Sequence, residues 1–227
     1  MSEAYIPGID VSRWQGLINW EAVAEDGVKF AFVKCGGSDC GFYTDPMWER
    51  NITEAAAAGI LCGAYYYVGS RCTSWEDGYA DGERAADLCD GFPVELPVVI
   101  DFEAPTAGNK AGNTAAVRGF CAAVTEAGYK AMVYASEKSG FSERLNLTML
   151  QDIPIWAAKW SPAPPASLDW EVWQNTSEAH VDGISGPVDH DFMTAAAWKK
   201  YTEPEDGELP AALAALRAAI DAVVKLL

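Results

Sequence analysis

Apolar runs of strand length alternate with amphipathic stretches through the first part of the chain. The runs span residues 6–11, 29–34, 61–68, 96–102 and 129–134. Each is apolar along most of its length, which is typical of parallel strands covered on both faces. Residues that favour helix starts precede the intervening stretches: Asn19, Asp45, Thr73 or Ser74, and Asn113 or Thr114. The pattern therefore predicts five β-α units built on a parallel sheet.

The pattern changes after residue 134. Residues 153–157, 170–174 and 184–189 have the composition of strands, whereas the connections between them are polar or rich in proline. These segments predict three further strands with little helix between them. Eight strands in this order favour a closed α/β fold over residues 1–198, an irregular TIM-like (β/α)5(β)3 barrel with its site at the carboxyl ends of the strands.

The last part of the chain differs in composition from the predicted barrel. Residues 199–210 are charged and turn-rich, so we expect an acidic linker there. Residues 211–227 carry an apolar stripe with helical spacing, which predicts a C-terminal amphipathic helix. We expect this helix to dock on the barrel or to lead to a removed module, with self-association as the less favoured alternative.

The charge balance limits the partners of the protein. Sixteen Lys and Arg residues against 33 Asp and Glu residues leave a formal net charge of −17. Such a field repels phosphate backbones and anionic lipids, so we expect no nucleic-acid partner. No apolar stretch reaches the roughly 18 residues of a membrane span, and the first residues do not have the composition of a signal peptide. We therefore expect a soluble chain with no membrane partner.

Six cysteines are scattered along the sequence without a CxxC motif or a Cys/His cluster. This spacing argues against a structural zinc site, and we expect no metal. A domain of this size does not need disulfides, which favours small buried thiols, although one or two disulfides remain an alternative.

A greasy strand ends in two acids at residues 98–103. Residues two apart on a strand share a face, so Asp101 and Glu103 project together while Ile100 and Phe102 face the helices. Repulsion and partial desolvation raise the proton affinity of one carboxylate in such a pair, as a general acid requires. Acids at strand ends also cap loops, which is the structural alternative.

Two further acids are expected at the same mouth. Asp10 ends the first predicted strand and Asp189 ends the last one. The first and eighth strands of a closed barrel are neighbours, so all four acids should converge. A calcium or magnesium site is the competing explanation, because hard cations also gather carboxylates.

Aromatic residues at the predicted strand ends favour a sugar ligand, since flat apolar rings can stack on pyranose rings. The candidates for substrate binding are Trp14, Tyr65, Tyr67, Tyr134, Trp160 and Trp173. Core filling is the alternative for each of them. Tyr66 should point to the opposite face of its strand and pack under a helix.

The strand-end segments that contain these acids and aromatic residues together resemble glycoside hydrolase family 25, the Chalaropsis-type lysozymes. The resemblance follows the chain in order from about residue 5 to residue 193. The segments that carry it are GIDVS at 8–12, WQG at 14–16, Trp20, VIDFE at 99–103, PIW at 154–156, VWQ at 172–174 and the stretch 183–189.

The resemblance implies an irregular barrel of five βα units and three strands, and hydrolysis of the β-1,4 bond after N-acetylmuramic acid in peptidoglycan. Carried over by position, Glu103 is the acid/base, Asp101 its companion, and Asp10 and Asp189 supporting acids. Tyr65 matches the active-site tyrosine of the family. We also expect a monomer that needs no cofactor and acts outside the cell or at the cell wall after secretion or phage-mediated release.

The sequence departs from the family at two places. The family usually has Lys-Ala-Thr-Glu-Gly after the second strand, where this chain has KCGGS at 34–38, so an acidic loop residue is missing. Tyr66 and Tyr67 replace a His-Phe pair. Neither change touches the four acids, so we expect altered sugar preference with retained activity.

Two other functions compete with a muramidase. A catalytically silent glycan-binding barrel would keep the cleft without turnover, but it has no need of all four acids. A chitinase-like barrel also uses an Asp-x-Glu strand end, yet it lacks support from Asp10 and Asp189. The sequence leaves open whether Asp101 attacks carbon one, activates water or steers the acetamido group of the substrate.

Overall fold

The computed structural model describes residues 5–105 and 109–203. Its strands are β1 Ile6–Val11, β2 Phe30–Gly37, β3 Tyr43–Thr44, β4 Leu61–Tyr67, β5 Val98–Asp101, β6 Ala131–Ser136, β7 Ile155–Ala158, β8 Val172–Ala179 and β9 Val188–Met193. Its α-helices are α1 Trp20–Glu25, α2 Trp48–Ala57, α3 Trp75–Cys89, α4 Lys110–Glu126 and α5 Ala195–Thr202.

Eight strands close into a barrel, as predicted. The order around the barrel is β1, β2, β4, β5, β6, β7, β8 and β9, and β9 pairs back onto β1. The barrel strands β1, β2 and β4 to β8 run parallel, whereas β9 is antiparallel to both of its neighbours. The short strand β3 lies outside this ring and pairs with β2. The TIM-like α/β barrel of the sequence analysis is confirmed.

Aromatic rings fill the interior of the barrel. Phe32 and Trp156 stack with their ring centroids 4.6 Å apart, and Tyr134 meets Trp156 edge-on at the same distance. Glycine makes this filling possible, because a Cβ at Gly8 or Gly63 would overlap a phenylalanine ring on β2. The lower barrel is therefore solid, and only its mouth is open to a ligand.

The outer layer packs helices against the other face of the strands. Tyr66 is buried there against Phe120 of α4, as the alternation along β4 predicts. Asn19 and Ser74 accept backbone hydrogen bonds at the starts of α1 and α3, so these two predicted caps are confirmed. None of the helices in the two described ranges is long and apolar enough to cross a membrane.

Two helix starts differ from the sequence prediction. The predicted cap Asp45 lies before a turn, and α2 begins only at Trp48. Asn109 caps α4 instead of Asn113 or Thr114, and the helix includes the segment KAGN. The helix was predicted to start after Gly112, because glycine is unfavourable inside a helix. In the structure Gly112 lies in the first turn, where the tertiary contacts of α4 outweigh this cost.

The predicted linker begins too early. Residues 199–202 belong to α5, and Tyr201 is buried with its hydroxyl donating to Glu171. The barrel unit therefore extends at least to the end of α5, because this ring covers the bottom of the interior cluster. The rest of the predicted linker from residue 204, and the predicted helix at 211–227, lie outside the described residues.

Helices α3 and α4 approach each other through glycine, which generates a stability prediction. A Cβ on buried Gly78 would overlap the backbone carbonyl of Ala116. On an exposed helix, Gly→Ala gains about 1 kcal/mol. Here we expect Gly78→Ala to lower the free energy of unfolding, measured by urea titration, by about 1 to 3 kcal/mol. The reason is that the backbone of α3 or α4 must move to admit the methyl group.

The control for this prediction is Ala80→Gly on the exposed face of α3. It should cost only the propensity difference of about 1 kcal/mol. A Gly78→Ala variant at least as stable as the parent would contradict the close packing of the two helices.

Candidate active site

A cleft of about 410 Å³ opens at the mouth of the barrel. All four acids of the sequence analysis line it: Asp10, Asp101, Glu103 and Asp189. Asp101 is the last residue of β5, and Glu103 follows two positions later with Phe102 buried on the helix side between them. Alternation along the strand thus brings both carboxylates into the cleft.

Asp189 reaches the cleft by a different route from the one predicted. It lies at the start of β9 instead of ending its strand, and it pairs in register with Asp10 on β1. Because β9 is antiparallel, its amino end is at the mouth where the other strands have their carboxyl ends. The first and last strands are neighbours as predicted, but the predicted direction of the last strand was wrong.

A fifth acid, Asp191, lies below Asp10 and was missed. Both carboxyl groups are buried. Gln174 Nε2 donates to Asp10 Oδ2 over 2.8 Å, and Trp156 Nε1 donates to Asp191 Oδ1 over 2.8 Å. Burial, followed by the nearby carboxylates, raises the pKa of Asp10, and burial raises the pKa of Asp191. Both carboxyl groups therefore keep their protons to a higher pH than an exposed aspartate does.

Gln174 connects this acid pair to the aromatic residues of the cleft. Its Oε1 accepts hydrogen bonds from the Tyr134 hydroxyl and from Trp160 Nε1, each over 3.0 Å. Its amide nitrogen is used by Asp10, so the orientation of the amide is fixed. Gln174 lies in the VWQ segment that carries the family resemblance but was not predicted as a site residue; the signal was its inward position on β8 next to Trp173.

Asp101 and Glu103 form the second acidic pair. Burial and then the charge of Glu103 raise the pKa of Asp101, against the opposing charge of Lys34. Desolvation also raises the pKa of Glu103, while the neighbouring Tyr134 hydroxyl and the charges of Lys34 and Arg144 oppose this rise. Glu103 remains accessible at the surface of the cleft. Burial, more than the repulsion expected from the sequence, thus favours the protonated form of Glu103.

Lys34 supplies a positive charge inside the acidic cleft, and the sequence analysis did not include it among the site residues. Its Nζ lies 4.6 Å from the ring centroid of Tyr67 and 5.8 Å from that of Tyr65. These contacts hold the ammonium over tyrosine rings, in the geometry of a cation–π interaction.

Across the cleft, desolvation and then the charge of Glu103 raise the pKa of Asp189 to about 6.

Five of the six aromatic candidates line the cleft: Trp14, Tyr65, Tyr67, Tyr134 and Trp160. Trp14 and Trp160 are exposed on its rim, at 77% and 64% of their surface. Their exposed rings are available to a ligand, whereas Tyr134 is buried in the cleft floor with its hydroxyl on Gln174.

The structure does not bring Trp173 into the cleft. Its indole donates to the Lys159 carbonyl over 2.9 Å and packs against Trp170 and Phe192. Adjacent residues of a strand face opposite sides, and on β8 it is Gln174 that faces the cleft. The alternative of core filling therefore holds for Trp173.

The acids of the cleft do not form a metal-binding set. Within residues 5–105 and 109–203, no three Asp, Glu, His or Cys side chains are arranged to hold a metal ion. The six cysteines are free; five are buried and Cys40 is exposed. Cys35 hydrogen-bonds the Tyr65 carbonyl over 3.2 Å, which places it behind the cleft and outside it.

Comparison with known proteins identifies relatives over most of the chain. The model of the family described as Glycosyl hydrolases family 25 matches residues 9–184, a range that contains Asp10, Asp101 and Glu103 and ends before Asp189. Lysozyme M1 of Streptomyces globisporus is 28% identical over 85% of this chain and 69% of its own length. The autolytic lysozyme of Clostridium acetobutylicum is 26% identical over 81% of this chain and 54% of its own.

Solved structures agree with the fold. The lysozyme of Streptomyces coelicolor superposes with a TM-score of 0.63 at 25% identity, covering 85% of this chain and 94% of that one. The CTP1L endolysin superposes with a TM-score of 0.76 at 23% identity, covering 88% and 70% of the two chains.

The buried acid pair generates a prediction about stability and pH. Because folding raises the pKa of Asp10 and Asp191 above the ordinary 3.8, the folded state holds a proton that the unfolded state releases. Stability therefore falls as pH rises above the ordinary value, by up to about 1.4 kcal/mol per pH unit for one proton. Asp191→Asn mimics the protonated acid, so we expect it to flatten this decline above the ordinary carboxyl pKa in urea titrations.

The control is Asp87→Asn, which makes the same chemical change on the exposed face of α3. It should keep the pH dependence of the parent. An Asp191→Asn variant whose stability declines with pH as steeply as that of the parent would show that the pair holds no extra proton.

Proposed function

Because the chain belongs to glycosyl hydrolases family 25, we propose that this glycoside hydrolase is a muramidase of bacterial cell-wall peptidoglycan. It hydrolyses the β-1,4 bond between N-acetylmuramic acid and N-acetylglucosamine. The observation that carries the proposal is the pairing of an accessible Glu103 with the buried Asp101 in one open cleft. The names of the two curated relatives, both lysozymes, support the same bond.

Glu103 is the general acid of this proposal. It must carry a proton when the glycosidic oxygen leaves, and desolvation of its carboxyl group favours that form. The Tyr134 hydroxyl and Lys34 limit the rise of its pKa, so the proton is still transferable. Arg144 holds the segment after β5 in place, since its Nη1 donates to the Glu103 carbonyl oxygen over 2.7 Å.

Asp101 orients the reacting sugar. It lies deeper than Glu103, and its Oδ1 is buried with no hydrogen-bond partner among the described residues. This oxygen can accept from the N–H of the 2-acetamido group, which steers that group toward carbon one. Asp10 and Asp189 add negative charge to the site, because they lie opposite each other where β9 closes the barrel against β1.

The aromatic rim binds the glycan. Trp14 and Trp160 expose their rings on the cleft rim, and Tyr65 and Tyr67 line the wall near Lys34. Stacking on sugar rings needs no charge, so it can hold an acidic polymer in an acidic cleft. A chain that cuts peptidoglycan acts at the cell wall, outside the cytoplasm, and we propose that it does so as a monomer.

We expect Glu103→Gln to lower the rate of wall hydrolysis by about 10² to 10⁴-fold, because the amide keeps the shape and cannot transfer the proton. Asp101→Asn should lower the rate by a factor close to that of Glu103→Gln. Asp10→Asn and Asp189→Asn should cost less, because they change the field without delivering a proton. The measurement is the release of new reducing ends from purified walls, with parallel binding assays.

Glu83→Gln, on the exposed face of α3, is the matched control and should keep full activity. If the parent and Glu103→Gln bind wall fragments equally and neither releases reducing ends, the protein is a silent glycan binder. If Glu103→Gln keeps full turnover, Glu103 is not the acid.

The activity should be highest at acidic to near-neutral pH. The raised pKa of Glu103 keeps its proton above the ordinary range, and activity is lost once pH rises through that value. The acidic limb should reflect the aspartates, among them Asp189 with a pKa of about 6. Rates on soluble fragments across pH test this, because a net charge of −17 disturbs approach to anionic walls. A rate that still rises above pH 9 would contradict the assignment.

A further inference from the structure

A second groove leaves the cleft on the far side of Glu103. It has a volume of about 440 Å³ and shares Glu103, Tyr134 and Trp160 with the main cleft. Its own polar lining comes from Ser136, at the end of β6, from Ser139 in the π-helical turn Glu137–Ser142 that follows, and from Arg144 just after that turn. A ligand in the main cleft can therefore extend a substituent into this groove without leaving the acid.

Arg144 has hydrogen-bonding capacity left in this groove. One of its Nη1 protons is used by the Glu103 carbonyl. Within the two described ranges, no carboxylate forms an ion pair with its guanidinium, and its Nε is buried without a hydrogen-bond partner. Arginine offers a planar set of N–H donors that matches a carboxylate. In so acidic a protein, an arginine that forms no ion pair with any described residue is suited to an anionic ligand.

The distribution of charge separates the groove from the main cleft. Four carboxylates line the main cleft, and its cation Lys34 lies among tyrosine rings. Among the described residues that line the groove, Glu103 is the only acid. A carboxylate on a substrate is repelled by the first environment and attracted by the second. The serine hydroxyls add polar contacts: Ser136 and Ser139 hydrogen-bond each other, and Ser136 also accepts from the backbone of Gly140.

We propose that this groove is the subsite for the carboxylate carried by the lactyl substituent of muramic acid, with Arg144 as its binding residue. The inference rests on the proposed function and deepens it, because this substituent distinguishes muramic acid from glucosamine. The carboxylate has two sources: the lactyl group itself in peptide-free strands, or the attached stem peptide. Arg144 is therefore a specificity residue in addition to its contact with the Glu103 backbone.

The test measures binding in the Glu103→Gln background, so that no ligand is consumed. The ligands are a neutral N-acetylglucosamine oligomer, a peptide-free muramic glycan of equal length, and the same glycan with its stem peptides. Arg144→Gln is compared with Arg50→Gln, which removes the same charge from an exposed arginine on α2. Both variants shift the net charge equally, so any difference between them is local.

We expect Arg144→Gln to weaken binding of a carboxylate-bearing glycan by about 10- to 100-fold, the range for a charged hydrogen-bonded contact, and to change neutral-oligomer binding little. Arg50→Gln should change none of the three. Loss with the peptide-free glycan identifies the lactyl carboxylate; loss only with the peptide-bearing glycan identifies the stem peptide. Either result supports the subsite.

Equal weakening with all three ligands would mean that Arg144 only supports the loop, and it would overturn the inference, as would no weakening with any of them. Failure of every ligand to bind would overturn it together with the glycan cleft. If carboxylate binding depends on Arg144 but the parent protein releases no reducing ends from walls, the subsite stands and hydrolysis fails.

Discussion

The pairing of β1 with the antiparallel strand β9 is the constraint on which the site depends. It closes the barrel and sets Asp10 opposite Asp189. The same register places Asp191 below the cleft, where Trp156 and Gln174 complete a buried polar network around the acid pair. Without this closure, two of the acids would lie on free sheet edges, far from the pair at the end of β5. The chemistry of the cleft is therefore a property of the closed barrel.

Crowding of acids has an electrostatic consequence that the fold must offset. Each buried carboxylate is costly when ionised, so protons are retained, and Gln174 and Trp156 donate hydrogen bonds to Asp10 and Asp191. Lys34 adds the compensating charge on the wall of the cleft. Burial and crowding of carboxylates lower the stability of the fold. The same burial and crowding keep a carboxylic acid protonated near neutral pH, and acid catalysis of glycoside hydrolysis needs such a protonated acid.

The sequence predicted the parts of the fold and site that depend on local periodicity. Continuous apolar runs identified the first five barrel strands, and alternation placed Asp101, Glu103, Tyr65 and Tyr67 on the inner face. The last strand was predicted at 184–189 and lies at Val188–Met193. The direction of a strand and the depth at which a side chain is buried were harder to predict from the sequence. Nothing local shows that β9 is antiparallel, and Asp191 in the DHD segment has the pattern of a surface acid. Trp173 and Gln174 are adjacent, and which of them faces inward follows from strand pairing alone. Lys34 ends an apolar run, so only the assembled barrel brings it to the acids.

The most direct test of the account is the identity of the new reducing end. Purified peptidoglycan is digested with the protein, reduced with borohydride and separated for mass analysis. The account requires N-acetylmuramitol at the new ends, because the proposed bond is the one that follows muramic acid. Ends that carry N-acetylglucosaminitol, or an absence of new ends with active enzyme controls alongside, would contradict it.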